Sequence, residues 1–278
     1  MIGLCCDSGA QLPDDLRRRH RIEVVPLTVT VDGEALLEGE QLDADAFWAR
    51  YDGGRAPEVS TAAPSPGQFA AAYQRLADAG ATRILSVHTG SAVSATFDAA
   101  RLAAQQAPVP VELVDTGSAS FVVGCATLAA AEAIAAGADV AAAAERARAV
   151  AASAGNVFVV GALDVARAGG RLGTGADAAP VDAIPVLRLQ GGKMDVVGHA
   201  ADVDSATAAM AEEILAAGPR LRVGLSVADP GARPLVDALR DRLESSGADL
   251  DVLEYRVGPS VGAHTGPGTA GAVFHPLG

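Results

Sequence analysis

Three times before residue 120 the chain runs an apolar, β-like stretch into a polar turn and on into a helix-forming stretch. Residues 2–6 lead into Asp7-Ser8-Gly9, residues 84–87 into His88-Thr89-Gly90-Ser91, and residues 111–114 into Asp115-Thr116-Gly117-Ser118. Strands that run in the same direction cannot be joined by a tight turn and need a crossover, usually a helix. Repetition of the unit predicts a doubly wound α/β domain with a parallel sheet. All three turns then fall at the carboxyl edge of the sheet, where such sheets bind ligands.

The second turn carries the most chemistry. A helix that starts directly after a strand aims its unpaired N–H groups and the positive end of its dipole at the turn, which suits a carboxylate or phosphate. Ser91, Ser94 and Thr96 add hydroxyl donors without adding charge. A plainer reading stands beside this one, in which Ser91 or Ser94 simply caps the helix.

Other local signals fill in the first part. Pro13 with Asp14 and Asp15 opens a helix to about His20, and residues 23–31 read as one strand ending at the hairpin signal Asp32-Gly33. A short helix is expected over 42–51. Ser65-Pro66-Gly67-Gln68 combines an N-cap, a proline at the first helical position and a capping-box glutamine, so a helix starts just downstream of Thr61. The Ala-rich run 126–144 is interrupted by Glu132 and Asp139 and reads as a soluble helix rather than a span.

From residue 156 the pattern changes. Strands are expected at 156–161, 185–189, 195–199, 222–228 and 250–257, with a hairpin about Gly191-Gly192 and helices at 205–217 and 233–245. A long Gly/Pro loop over 258–271 precedes a final apolar strand. This second part reads as an α+β domain with a mixed sheet. A chain of 278 residues fits two domains better than one, and the expected division is 1–155 and 156–278.

Composition excludes several functions. A net charge of −13 argues against nucleic acid and disfavours anionic membranes, and aromatic residues at 4% leave few side chains to stack on bases. Lys193 is the single lysine, so Schiff-base chemistry has one candidate, in a Gly-Gly-Lys turn. The three cysteines form neither a disulfide framework nor a metal-ligand spacing and read as buried thiols of a reducing compartment. The histidines lack the paired spacing of a metal site, and residues 1–6 show no export signal. The 258–271 loop has glycine spacing loosely like a phosphate loop but lacks its Lys-Ser/Thr ending. Ser8, Ser91, Ser94 and Ser118 raise the question of a nucleophile. No Gly-x-Ser-x-Gly elbow exists, although His88 with Asp115 could complete a triad. Arg171, in the turn Gly169-Gly170-Arg171-Leu172-Gly173, is placed for a partner or an anion, or is a solvated surface arginine.

These segments, in their order and spacing, resemble the DegV family, bacterial fatty-acid-binding proteins that serve as lipid-carrying subunits of a fatty acid kinase. The likeness rests on Asp7-Ser8-Gly9-Ala10-Gln11-Leu12, Val24-Val25-Pro26-Leu27, residues 61–69, the 88–96 loop and Val114-Asp115-Thr116-Gly117-Ser118-Ala119. It continues through Gly169-Gly170-Arg171-Leu172, Gly258-Pro259 and His264-Thr265-Gly266-Pro267-Gly268, covering essentially the whole chain.

The resemblance implies a cytoplasmic carrier, not itself an enzyme, that buries a long-chain fatty acid between two domains. It implies no cofactor, metal, nucleic acid or stable membrane insertion. The carboxylate is held by Thr61 and Ser94, with Ser91 the other candidate serine and His264 close by. Arg171 looks like the part that meets a separate ATP-dependent kinase subunit, which forms the acyl phosphate. The chain departs from the family at Ala62-Ala63, where the usual residues are Ser-Gln, at Ala92 and Ala95, where glycines are usual, and at Gln11, where an acid is usual. A buried CH₂ is worth ~0.8 kcal/mol, so a tail of ~16 carbons supplies on the order of 12 kcal/mol before ordering costs, and the head-group contacts need only fix register. Two alternatives belong to other classes: a small serine/histidine hydrolase of acyl esters using Ser91 or Ser94 with His88 or His264, and a lipid sensor with no kinase partner.

Overall fold

The computed structural model describes residues 1–51, 56–161 and 183–277, which fold into two compact units. The first comprises Met1–Leu42 and Glu58–Ala152, and the second Asp43–Pro57 and Ser153–Gly278. A single division at 155/156 therefore does not describe the packing, because Asp43–Pro57 groups with the second unit. Arg171 and the rest of the Gly-rich turn lie outside the described residues.

In chain order the first stretch forms β1 (Ile2–Asp7), α1 (Asp14–Arg19), β2 (Glu23–Val25), β3 (Thr28–Val31), β4 (Glu34–Leu37), α2 (Ala44–Trp48) and β5 (Val59–Ala62). There follow α3 (Pro66–Asp78), β6 (Arg83–His88), α4 (Thr96–Ala104), β7 (Val111–Asp115), α5 (Phe121–Ala135) and α6 (Val140–Ser153). The first unit holds an all-parallel sheet in the order β2-β1-β6-β7 and a small antiparallel sheet in the order β4-β3-β5.

Residues 23–31, expected as one strand, are two. Pro26 has no N–H to carry a ladder onward, so the chain leaves the parallel sheet there and starts the antiparallel one at Thr28. The Ala-rich run is likewise two helices. Asp139 accepts from the Ala142 N–H at 2.9 Å and opens α6, ending any continuation of α5. No described helix is long and apolar enough to cross a membrane.

Adjacent cysteines show that the parallel sheet is covered on both faces, since successive side chains of a strand point opposite ways. Cys5 packs in a cluster with Phe69 and Tyr73 of α3 and Ala100 of α4, whereas Cys6 meets Thr127 of α5. Residues Phe121–Ala131 of α5 are buried on every side, which suits a helix apolar all round.

The second unit is built on a mixed sheet in the order β10-β9-β8-β13-β11-β12. Its strands are β8 (Gly155–Val159), β9 (Ile184–Gln190), β10 (Lys193–Ala200), β11 (Arg220–Val227), β12 (Asp249–Arg256) and β13 (Ala270–Pro276). Only β11 and β12 pair in parallel among the described strands of this sheet. Helices α7 (Val203–Leu215) and α8 (Arg233–Glu244) bury Met210, Ile214, Val236 and Leu239 with Val223 and Leu225 of β11. The Gly/Pro tail is not all loop. Gly258-Pro259 opens a short helix, α9 (Pro259–Thr265), with proline in its first turn. A Cβ on Gly262 would stand 2.7 Å from ring atoms of Phe47 and Trp48, so α2 lies flush against α9.

Candidate functional site

The parallel sheet of the first unit delivers three loops to its carboxyl edge, and two of them are fastened to each other. The Gly90 N–H donates to the Ser118 carbonyl at 2.7 Å, and the Thr116 hydroxyl donates to the His88 carbonyl at 2.8 Å. The approach is closer than a side chain allows. A Cβ on Gly90 would sit 2.5 Å from the Gly117 carbonyl carbon, so the fastening needs glycine.

Helices α3 and α4 pack on one another, and both begin at this edge. Helix α4 follows β6 directly, while α3 feeds into the opposite end of β6, where Thr82 N–H meets the Met1 carbonyl at 2.9 Å. Their amino ends therefore point the same way. Thr61, on β5 opposite Val29, is half-buried and lies just upstream of α3. The Ser65 hydroxyl accepts from Gln68 N–H at 3.3 Å, and Gln68 Oε1 accepts from Ser65 N–H at 2.9 Å, completing the expected capping box.

The two serines of the hydroxyl loop have different occupations. Exposed Ser91 donates its hydroxyl to Asp115 at 2.6 Å, and its N–H meets the same carboxylate at 3.2 Å. Its single hydroxyl hydrogen is thus committed to an anion. Ser94 is half-buried and lies 2.8 Å from the Thr96 hydroxyl, and its oxygen accepts from the Thr96 N–H at 3.3 Å. Two hydroxyls that share one hydrogen bond use one of their two hydrogens, so the pair retains a donor for an incoming oxygen. Thr96 is fully buried, which leaves Ser94 as the member that faces outward. Part of Ser94's work is the plain capping reading, since it satisfies one N–H of α4. Neither Ala92 nor Ala95 adopts a positive φ, so the loss of the usual glycines costs no backbone strain.

His88 is not available to either serine. It is fully buried, with Nδ1 3.1 Å from Asp7 Oδ2 and Nε2 2.6 Å from the Ser86 hydroxyl, and the Phe69 ring packs nearly perpendicular to its own. Asp115, offered above as its triad partner, instead holds Ser91 and the Gly117 N–H. Asp7, His88 and Ser86 are connected in the order of a catalytic triad, but all three are fully buried in the sheet, and Ser86 continues inward to the Tyr73 hydroxyl at 3.1 Å. The arrangement has no route to an ester. Burial raises the Tyr73 hydroxyl well above the ordinary tyrosine range and pushes the neighbouring Cys5 thiol up to about 12. Ser8 is equally occupied, accepting from the Leu27 N–H at 2.9 Å and donating to Glu38 at 2.5 Å.

Sequence patterning missed this Asp7–His88–Ser86 chain. Its signal was present as two polar residues two apart in an apolar strand, Ser86 and His88, hence on one face, next to a strand ending in Asp7.

The second unit carries His264, half-buried on α9. Phe47 and Trp48 support that helix, and Trp48 Nε1–H donates to the Val257 carbonyl at 2.9 Å. The loop that follows α9 is held by Asp229, which accepts from Gly268 N–H at 2.6 Å and from Gly231 N–H at 2.7 Å. Lys193 is an exposed residue at the start of β10. No group of acidic, histidine and cysteine side chains among the described residues is arranged to hold a metal.

Residues 1–277 match the model of the family described as "Uncharacterised protein, DegV family". A DegV domain-containing protein of Streptomyces coelicolor is 40% identical over 98% of this chain and 97% of its own length. Another, of Mycobacterium tuberculosis, is 36% identical over 95% of this chain and 94% of its own. A solved structure reported as fatty acid binding of a DegV-family protein from Thermus thermophilus superposes with a TM-score of 0.90 at 32% identity, covering 99% of each chain.

Proposed function

Because this chain belongs to the DegV family, we propose that it binds a long-chain fatty acid and presents the carboxylate to a separate ATP-dependent kinase subunit that forms an acyl phosphate. The observation that carries the reading is the spare hydroxyl donor of the Ser94–Thr96 pair at the amino end of α4, in a chain so similar to a fatty-acid-binding relative. Thr61 and Ser94 hold the carboxylate, and Ser91 serves the loop through Asp115. Neutral donors suit the task. They fix the head group without the tight charge pairing that would quench its nucleophilicity toward a phosphoryl group.

The protein supplies no chemistry of its own in this scheme. It works in the cytoplasm as a carrier, and Arg171 belongs to the surface that meets the kinase. The deciding experiment is organic extraction of the purified protein followed by mass spectrometry against a denatured control. Close to one fatty acid per chain is expected, and a lipid-free protein that also fails to take up added fatty acid would overturn the reading.

A further inference from the structure

The buried chain of polar side chains grips the hydroxyl loop at its start and reaches the helix that follows it. At its start, Asp7 accepts from the Thr89 N–H at 2.9 Å through Oδ2 and from the Thr89 hydroxyl at 2.8 Å through Oδ1. The next residue, Gly90, turns its carbonyl to the N–H groups of Val93 at 2.8 Å and Ser94 at 3.0 Å. At the far end the chain passes from Asp7 through His88 and Ser86 to Tyr73, whose hydroxyl donates to the Ala100 carbonyl of α4 at 3.5 Å. Asp7, Ser86, His88 and Tyr73 have no exposed surface.

We propose that Asp7 is a positioning residue for carboxylate recognition, acting through Thr89 to hold the loop in the conformation that aims the Ser94 hydroxyl. The proposal rests on the fatty-acid reading above. Three contacts converge on one buried carboxyl group, from the Thr89 N–H, the Thr89 hydroxyl and His88 Nδ1, so the residue that opens the loop is held at two points. A loop with that anchor keeps its donors in place before the ligand arrives, which reduces the ordering cost of binding. Asp7 touches no ligand. Its effect is expected at the head group alone, because Asp7, Ser86, His88 and Tyr73 have no exposed surface for a tail to meet.

That confinement supplies the test. Affinities of the delipidated full-length chain are measured for a C16 fatty acid and for the C16 alcohol, by displacement of a fluorescent fatty acid. Wild-type protein is expected to prefer the acid. Thr89→Val removes the hydroxyl donor while keeping size and the N–H, and Thr89→Ser restores it. The valine variant is expected to lose about tenfold in acid-over-alcohol preference with alcohol affinity unchanged, and the serine variant to regain it. Asp7→Asn should show the same loss, with thermal unfolding confirming that each variant is folded. Equal weakening toward both ligands, or an unchanged preference in Thr89→Val, overturns the positioning role while leaving fatty-acid binding intact. A wild-type chain that binds neither ligand overturns the parent reading and this one with it.

Discussion

The Gly90 backbone N–H donates to the Ser118 carbonyl across 2.7 Å, so the loops after β6 and β7 meet main chain to main chain. Gly90→Ala forces a methyl into a space where the nearest backbone atom stands at 2.5 Å, and that atom is not the end of a flexible side chain. The expected cost is about 2–3 kcal/mol, at the upper end of what overpacking costs. Denaturant unfolding of the variant should show it, and a midpoint equal to wild type would refute the account of this junction.

The two loop serines should separate cleanly. Ser94→Ala removes the spare donor, and about a tenfold loss in fatty-acid affinity is expected, with Thr61→Val acting in the same direction. Ser91→Ala removes a hydroxyl already committed to Asp115 and should change affinity by less than about twofold. Titration of each variant with a fluorescent fatty acid decides the matter. A larger loss in Ser91→Ala than in Ser94→Ala would mean that the carboxylate is held by the wrong serine here.

The buried thiols predict alkaline sensitivity. Burial pushes the Cys5 thiol from its ordinary 9.0 up to about 12 and raises Cys6 in the same direction. Between these values the unfolded chain releases thiol protons that the native chain keeps, so stability is intact below pH 9 and falls as pH rises above it. Cys5, Cys6 and Cys125 should be inert to Ellman's reagent in the native protein at pH 8, and all three should react after unfolding. Rapid native reaction of any of them would contradict the burial.

Glu254 gives the opposite dependence. Arg233 reaches both of its oxygens, at 2.8 and 2.9 Å, and Arg240 adds a third contact at 2.9 Å; the Arg233 hydrogen bonds are the main reason its carboxyl titrates below the ordinary range. The contribution is present above the ordinary value of 4.5 and is lost as pH falls through the lower native value. All three side chains are partly solvated, so Glu254→Gln should cost only about 1 kcal/mol at pH 7, less at high salt. Melting curves at pH 7 and pH 3 check this. The difference between variant and wild type should shrink at the lower pH, and a constant difference would exclude the ionic cause.

Features written in a few consecutive residues were readable without a structure. The capping box at Ser65 and Gln68, the hairpin turns at Asp32-Gly33 and Gly191-Gly192, and the three strand-to-turn junctions are all where local chemistry puts them. Contacts between distant residues were not. Asp7 finds His88 only because β1 and β6 lie side by side with Cys6 level with Val87, a register no local pattern states. The distinction between Ser91 and Ser94 depends on Asp115 arriving from the next loop. Glycine and proline misled in both directions, since Pro26 divides a run that looks like one strand, while Gly258-Pro259 opens a helix within what looks like a loop.

The small aromatic segment around Phe47 and Trp48 has a consequence for how such proteins can recombine. The second unit is encoded in two stretches, Asp43–Pro57 and Ser153–Gly278, separated by most of the first. A crossover between two homologous genes near codon 153 would therefore join one parent's Phe47 and Trp48 to the other parent's Gly262, where there is no room for even one extra methyl group. Viable chimeras should inherit both stretches from the same parent, so the unit of exchange is two separated segments rather than one continuous half of the gene.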